Sequence, residues 1–123
     1  MIKVLKTEEF EAEVINSEVP VMVEFFAFWC PPCKQMGPDV DQVAVQMQNW
    51  AKVLRVDVEK TPELCTKYGV RTVPTIIFFK NGTVEEVMGF ATKDLMLAKL
   101  GNLITDMNTL HRSSTLPNNP RRY

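Results

Sequence analysis

Two kinds of hydrophobic pattern alternate along the first 107 residues of the chain. Apolar runs, or alternating apolar and polar positions, predict strands at residues 2–5, 19–27, 53–58, 75–79 and 84–88. Apolar residues three or four positions apart predict helices after Thr7, after Cys33, between Thr61 and Gly69, and after Thr92. The order β-α-β-α-β-α-β-β-α predicts an α/β fold in which a central mixed five-stranded sheet is flanked by four helices.

Capping and turn residues predict where several of these elements begin and end. Thr7 and Thr92 precede helical patterns and are predicted N-caps, because a threonine hydroxyl can accept an unpaired N–H of the first turn. Asn81-Gly82, between two strand patterns, is the strongest hairpin signal in the chain. Pro38 falls inside the helix after Cys33, and we expect it to bend that helix because proline has no N–H.

The composition is that of one globular domain. The chain has 123 residues, of which 46% are hydrophobic and 24% charged, as is ordinary for a soluble protein with a single core. We expect residues 1–108 to form this domain. Residues 109–123 are polar and rich in proline and arginine, and they predict a flexible C-terminal tail.

Charge and hydropathy exclude several classes of function. A net charge of −1 gives no electrostatic basis for binding nucleic acid or an anionic membrane. No apolar stretch approaches the roughly 20 residues of a membrane span, and the N-terminus lacks the apolar core of a signal peptide. With three cysteines and no such signal, a reducing compartment fits best, and we expect a cytoplasmic monomer.

The chemistry of the chain is concentrated at Cys30-Pro31-Pro32-Cys33, where a strand pattern gives way to a helical one. Cysteines at this spacing lie on the first turn of a helix, where unpaired N–H groups and the helix dipole favour a thiolate. Two adjacent thiols, one of them ionised, are the minimum for dithiol–disulfide exchange. The alternative is half of a structural zinc site, for which Cys65 and His111 are the remaining cysteine and histidine.

Several motifs resemble those of the thioredoxin family, from Ile2 to about Met107. Residues 29–34, WCPPCK, are similar to the family signature WCxPCK. Four further features agree in order and spacing: Pro38, the dipeptide Val73-Pro74 that contains the cis-proline of the family, the hairpin at residues 79–82, and Gly89 beside the substrate groove. The resemblance implies the thioredoxin fold and a thiol–disulfide oxidoreductase that reduces protein disulfides.

Both the motif and the resemblance assign roles to the two thiols. Cys30, as a solvent-facing N-cap, is the expected nucleophile, and Cys33, one turn inside the helix, is the expected resolving thiol. Pro31 and Pro32 offer Cys30 no N–H, which leaves the N–H of Cys33 as the nearest donor.

The resemblance also implies a substrate-binding surface around Cys30. It comprises Trp29, Pro31, Pro32, Val73, Pro74 and Gly89. Trp29 can instead belong to the core. A residue such as Val73, which precedes the proline, can pair its backbone with an extended peptide.

Glu24 is the charged residue within an otherwise apolar strand pattern. Burial would raise its pKa, which suits a proton donor or acceptor for Cys33. The alternative is an edge strand from which Glu24 reaches water. The family usually has aspartate at this position, and Arg55 aligns with a family lysine, so Arg55 is either a salt-bridge partner of Glu24 or a solvated strand charge.

The resemblance implies the partners: disulfide-containing target proteins and a thioredoxin reductase that recycles the oxidised form. It assigns the chain to electron transport and cell redox homeostasis, with the Cys30–Cys33 disulfide and no bound cofactor or metal. Alternative functions are a redox-inert binding module of the same fold, a nucleoredoxin- or tryparedoxin-like reductase, and a metal- or cluster-bridged dimer. Cys65 is interpreted as structural, with a regulatory thiol as the alternative, and His111 is not expected to be catalytic.

Overall fold

The computed structural model describes residues 2–115 and confirms the predicted α/β fold. Its strands are β1 (Val21–Phe26), β2 (Lys52–Asp57), β3 (Thr75–Lys80) and β4 (Thr83–Met88). Its α-helices are α1 (Pro31–Gln46), α2 (Pro62–Tyr68) and α3 (Lys93–Thr115). A 3-10 turn (Thr7–Glu9) and a π-helical turn (Glu11–Ile15) precede β1.

Within residues 2–115 the sheet has four strands in the order β2-β1-β3-β4. Strand β1 is parallel to β2 and antiparallel to β3, and β3 is antiparallel to β4, so the sheet is mixed as predicted. All six residues of β1 are buried, because the strand has neighbours on both edges and helices over both faces. This central position explains the continuous apolar run in the sequence.

The predicted fifth strand at residues 2–5 is reduced to a single parallel bridge between Val4 and Arg55. Two backbone hydrogen bonds hold it: Leu5 N–H donates to the Arg55 carbonyl (2.7 Å) and Arg55 N–H donates to the Lys3 carbonyl (3.0 Å). The extended segment ends there because the 3-10 turn begins at once, with Lys6 rather than Thr7 as its N-cap. The predicted N-cap at Thr7 is therefore wrong.

The alternation of side chains along β1 divides the core into two layers. On one face Met22 packs with helices α1 and α3, in a cluster that includes Met36, Val40, Ile76, Phe78, Met96 and Leu100. On the other face Val23 and Phe25 pack with α2 and the N-terminal turns, in a cluster that includes Phe10, Val14, Leu64, Ile77 and Phe79. Glu24 falls on the first of these faces, beneath α1.

Helix α1 begins at Pro31 with Cys30 as its N-cap, and Pro38 lies inside it as predicted. Helix α3 follows the predicted cap, since Leu95 N–H donates to Thr92 Oγ1 (3.2 Å). Because α3 continues to Thr115, it passes the predicted domain boundary at residue 108. The rest of the predicted tail, residues 116–123, lies outside the described residues.

The predicted hairpin between β3 and β4 is confirmed. Asn81 and Gly82 have φ angles of 53° and 77°, the left-handed values that a two-residue turn of the I′ type requires. A Cβ atom at Gly82 would lie 2.7 Å from the backbone oxygen of Ile15, so the hairpin packs directly against the π-helical turn. Gly82 is therefore required both by its φ angle and by this close approach.

Alanine substitutions at two glycines should separate the cost of a left-handed φ from the cost of the close contact. Gly69 also has a left-handed φ of 68°, but a Cβ there would meet nothing within 4 Å. We expect Gly69→Ala to lower the free energy of unfolding by about 1–2 kcal/mol, the cost of the left-handed conformation. Gly82→Ala should lower it by about 2–4 kcal/mol, because the contact with Ile15 adds to the same cost. Urea unfolding measures both, and equal losses would contradict the role of the contact.

Candidate active site

The N-terminus of α1 carries the two cysteines of the motif as a disulfide. Their Cα atoms are 5.3 Å apart, and Cys33 N–H donates to Cys30 Sγ over 3.2 Å. This hydrogen bond makes Cys30 the N-cap of α1, with prolines at the next two positions. The predicted cap and its predicted donor are both confirmed. A thiolate at Cys30 would keep this donor and would lie at the positive end of the helix dipole.

Cys30 is not solvent-facing, contrary to the prediction. The Cys30 residue is 2% exposed and Cys33 is 5% exposed, so both side chains are buried in the disulfide form. Cys30 belongs to a small apolar cluster with Phe26 and Ala27, and the side chain of Val73 packs against this cluster. The sequence could not predict this burial, because the loop that covers Cys30 is distant in the chain.

The Val73-Pro74 peptide bond is cis, as the resemblance implied. The carbonyl oxygen of Val73 lies 3.7 Å from Cys30 Sγ. Gly89 lies next to the same loop, since a Cβ on it would be 3.8 Å from the Pro74 carbonyl oxygen. The structure thus brings Cys30, Val73, Pro74 and Gly89 together.

Trp29 lies at the surface beside the disulfide, with 62% of its area exposed. This position excludes the alternative that Trp29 belongs to the core. Its Nε1–H donates to Glu59 Oε2 over 2.6 Å, which fixes the ring. Glu59 was not among the predicted site residues, because an acidic residue that follows a strand carries no signal of this contact.

A groove of about 380 Å³ extends from Trp29 along the cis-proline loop. It is lined by Trp29, Val58, Val70, Arg71, Thr72 and Val73. Pro31 and Pro32 are exposed on the helix end nearby. The predicted substrate-binding residues therefore surround the disulfide, and their part in binding stays a prediction.

Glu24 lies in the central strand β1 and is 1% exposed, so the alternative of an edge-strand position is wrong. Arg55 Nε donates to Glu24 Oε1 over 2.8 Å, and the side chain of Arg55 is 19% exposed. Arg55 is thus a salt-bridge partner of Glu24. Burial raises the pKa of Glu24 above its ordinary value, and the hydrogen bond and charge of Arg55 oppose this rise without cancelling it.

A second cavity, of about 290 Å³, lies beneath the first turns of α1. Glu24, Cys33, Lys34, Gly37 and Arg55 line it together with apolar side chains. The space is sufficient for water molecules, which can carry a proton between polar groups. Glu24 and Cys33 thus meet at a shared cavity, and this arrangement suits the predicted proton transfer.

Cys65 is half-buried in α2 and is not in a disulfide. Its Sγ lies 3.8 Å from the Val58 carbonyl oxygen. Burial raises the pKa of the Cys65 thiol, which disfavours the reactive thiolate. These features agree with the structural interpretation of Cys65.

The described part of the chain contains neither a metal-type cluster nor a helix that could span a membrane. Among residues 2–105, whose side chains the structure describes, no three or more histidine, cysteine, aspartate or glutamate side chains converge as a metal site would require. No helix within residues 2–115 has the length and apolar character needed to cross a membrane.

Comparisons with known proteins agree with this site. The thioredoxin family model matches residues 1–102. The chain is 35% identical to the thioredoxin of Rickettsia bellii over 98 residues, which are 79% of this chain and 93% of that protein. It is 41% identical to thioredoxin 1 of Nostoc over 85 residues, 68% of this chain and 79% of the relative. The thioredoxin of Pyropia yezoensis is 36% identical over 97 residues, 78% of this chain and 91% of the relative.

The fold, the disulfide at the start of α1 and these similarities define a thiol–disulfide oxidoreductase. The chain belongs to the thioredoxin family.

The first prediction from this site concerns the proline after Cys30. We expect Pro31→Gly to lower the pKa of the Cys30 thiol, because it adds a backbone N–H to the first turn of α1. Pro31→Ala adds the same N–H without the flexibility of glycine and should act in the same direction. The rate of alkylation of the reduced protein as a function of pH measures this pKa. An unchanged or higher pKa in both variants would show that the missing donor is unimportant.

The second prediction follows from the raised pKa of Glu24. In the unfolded chain Glu24 titrates near its ordinary value of 4.5, whereas the folded protein holds the proton to higher pH. The contribution of Glu24 to the free energy of unfolding should therefore fall as the pH rises from about 4.5 through the raised folded pKa, and then level off. Glu24→Gln cannot ionise and should lack this fall.

Urea unfolding of wild type and Glu24→Gln at a series of pH values isolates the contribution of Glu24, because all other groups titrate in both proteins. The variant should gain stability relative to wild type as the pH rises. A relative loss over the same range would mean that the charged, salt-bridged carboxylate is the favoured form.

Proposed function

We propose that this oxidoreductase reduces disulfides of target proteins, with Cys30 as the nucleophile and Cys33 as the resolving thiol. The observation that carries the proposal is the donation of Cys33 N–H to Cys30 Sγ at the N-terminus of α1. This geometry stabilises a thiolate at one sulfur and holds the second sulfur within bonding reach.

The reaction proceeds in two exchanges. The Cys30 thiolate attacks one sulfur of the target disulfide, forms a mixed disulfide and releases the other target sulfur as a thiolate. The Cys33 thiolate then attacks Cys30 Sγ, forms the Cys30–Cys33 disulfide and releases the second target sulfur. The target gains two electrons and two protons, and the enzyme is left oxidised.

Glu24 supports the second exchange in this proposal. Cys33 must lose its proton before it attacks, and Glu24 lines the same cavity. A buried carboxylate with a raised pKa is a better base than an exposed one. We propose that the proton passes from Cys33 to Glu24 through the cavity, directly or by way of water.

The residues that surround Cys30 form the proposed binding surface, in which Trp29, Pro31 and Pro32 are exposed, Val73 is half-buried and Pro74 is buried. Trp29, Pro31 and Pro32 contribute one side of it, and the cis-proline loop with Gly89 contributes the other. The backbone of Val73, which precedes the cis-proline, is available to pair with an extended peptide that carries the target disulfide.

Partners and cellular role complete the proposal. The family supports recycling by a thioredoxin reductase, a place in electron transport and cell redox homeostasis, and no resident cofactor beyond the disulfide. The unpaired Cys65 fits the reducing environment of the cytoplasm. We expect a reduction potential near the value of about −270 mV that is typical of thioredoxin.

Serine variants test the assignment of the two thiols. Reduced wild type should catalyse the reduction of insulin by dithiothreitol, and Cys30→Ser should lose this activity because the attacking atom is gone. Cys33→Ser should also lose turnover, but it should accumulate mixed disulfides with target proteins. Dithiothreitol should reduce these complexes and release the targets. Cys65→Ser is the matched control, which removes a thiol outside the site and should keep full activity.

The readouts are insulin turbidity and non-reducing electrophoresis of the Cys33→Ser protein. Wild type without activity would favour the redox-inert binding module. Trapped complexes in Cys30→Ser rather than in Cys33→Ser would reverse the assigned roles.

A further inference from the structure

Arg55 connects Glu24 to helix α1 through all three nitrogen atoms of its guanidinium group. Nε donates to Glu24 Oε1 (2.8 Å), Nη1 to Asp41 Oδ1 (3.2 Å) and Nη2 to the carbonyl oxygen of Gly37 (3.2 Å). The acceptors belong to β1 and to two successive turns of α1, while Arg55 itself belongs to β2. One side chain thus joins two strands of the sheet to the helix that carries the disulfide.

Only the planar fork of arginine can make this set of contacts. A lysine at this position would bring the same charge, but its donors radiate from one atom and cannot be directed to three separated acceptors in a plane. The contacts of Arg55 to Gly37 and Asp41 therefore belong to the arginine of this chain rather than to its charge.

The three contacting side chains lie progressively nearer the surface of the protein. Glu24 is 1% exposed, the side chain of Arg55 is 19% exposed and that of Asp41 is 58% exposed. Gly37 lies one helical turn beyond Cys33, and the cavity of Glu24 and Cys33 is bounded by Gly37 and Arg55. The guanidinium thus contacts both the Glu24 carboxylate and the turn of α1 that follows Cys33.

We propose that Arg55 and Asp41 are positioning residues for the second thiol exchange: Asp41 holds the Arg55 guanidinium against α1, and the guanidinium holds the Glu24 carboxylate at the cavity shared with Cys33. The inference rests on the proposed function, in which Glu24 accepts the proton of Cys33. It adds Asp41, a surface residue, to the groups that control this step.

The charged and titratable groups around Glu24 determine in which direction its pKa changes when Asp41 is replaced. Arg55 faces it from β2, Asp41 acts from α1, and Lys34 and Cys33 of α1 line the same cavity. The neighbour on β3 is the apolar Ile76. Burial raises the pKa of Glu24, the hydrogen bond and charge of Arg55 lower it, and the negative charge of Asp41 adds to the rise. Loss of this charge should therefore lower the pKa of Glu24 and weaken it as a base.

The experiment follows the two exchanges separately with 5,5′-dithiobis(2-nitrobenzoate). All proteins carry Cys65→Ser, so that the reagent reports on the active-site thiols. In stopped flow, attack by Cys30 releases the first equivalent of thionitrobenzoate and attack by Cys33 on the mixed disulfide releases the second. The rate of the second phase is measured from pH 5 to 9 for wild type, Asp41→Asn, Asp39→Asn and Arg55→Lys.

Asp41→Asn should shift the pH profile of the second phase to lower pH and slow that phase several-fold at neutral pH. This is less than the roughly 100-fold or more expected for complete loss of general base catalysis. Arg55→Lys should slow the same phase although it keeps the charge, because the fork is lost. The first phase should be unchanged in both.

Asp39→Asn is the matched control, since it removes the same charge from the same helix. Among the described residues, the Asp39 carboxylate has no ion pair, and its variant should follow the wild-type profile. In a Glu24→Gln background the effect of Asp41→Asn should disappear, because the group that it positions is no longer a base.

The outcomes separate this inference from the proposed function. If the second phase is absent in wild type or persists in Cys33→Ser, the assigned roles of the thiols are wrong. If those roles hold but Asp41→Asn matches Asp39→Asn, or keeps its effect without Glu24, the positioning role of Asp41 is overturned.

Discussion

The structure of the site depends on the hydrogen bond from Cys33 N–H to Cys30 Sγ at the start of α1. That bond is possible because β1, buried on both faces, ends at Phe26 and delivers the chain to a tight turn in which Cys30 N–H donates to the Ala27 carbonyl (3.2 Å). The first two helical positions are prolines, which suit the start of a helix because no intrahelical hydrogen bond needs an N–H there. The end of β1 therefore determines where α1 begins, and the start of α1 determines the position of Cys30 Sγ.

The same strand carries the least favourable group in the core. A carboxylate at Glu24 is removed from water within an apolar layer, which is costly unless a partner satisfies it. Arg55 supplies that partner from β2, next to the bridge with Val4 that remains of the predicted first strand. A buried charge retained beside an active-site cavity, at a position where an apolar residue would pack more favourably, is more simply explained by chemistry than by stability.

Local patterns predicted most of the fold and the centre of the site. The cap at Cys30, the Asn81-Gly82 hairpin and the burial of β1 each depend on a few adjacent residues, and each is confirmed. One error concerns a contact between distant parts of the chain, and another is local. The burial of Cys30 comes from the loop of Val73, whereas the N-terminal strand is shortened by the 3-10 turn that follows it directly, with Lys6 as its N-cap. The contacts of Trp29 with Glu59 and of Arg55 with Asp41 join residues that are distant in the chain, so no periodic pattern in the sequence predicts them.

The spacing of the two cysteines gives each sulfur a different environment although the sulfurs are bonded to each other. Cys30 Sγ lies against the Val73 carbonyl oxygen, on the side of the exposed Trp29 groove. Cys33 lines the cavity of Glu24, on the side of the sheet that α1 covers. The two cysteines therefore border different spaces: the groove begins at Trp29, beside Cys30, and the cavity that contains Glu24 is lined by Cys33. Two residues between the cysteines are enough for this division, because positions at the start and the end of one helical turn meet different neighbours, although both side chains are buried.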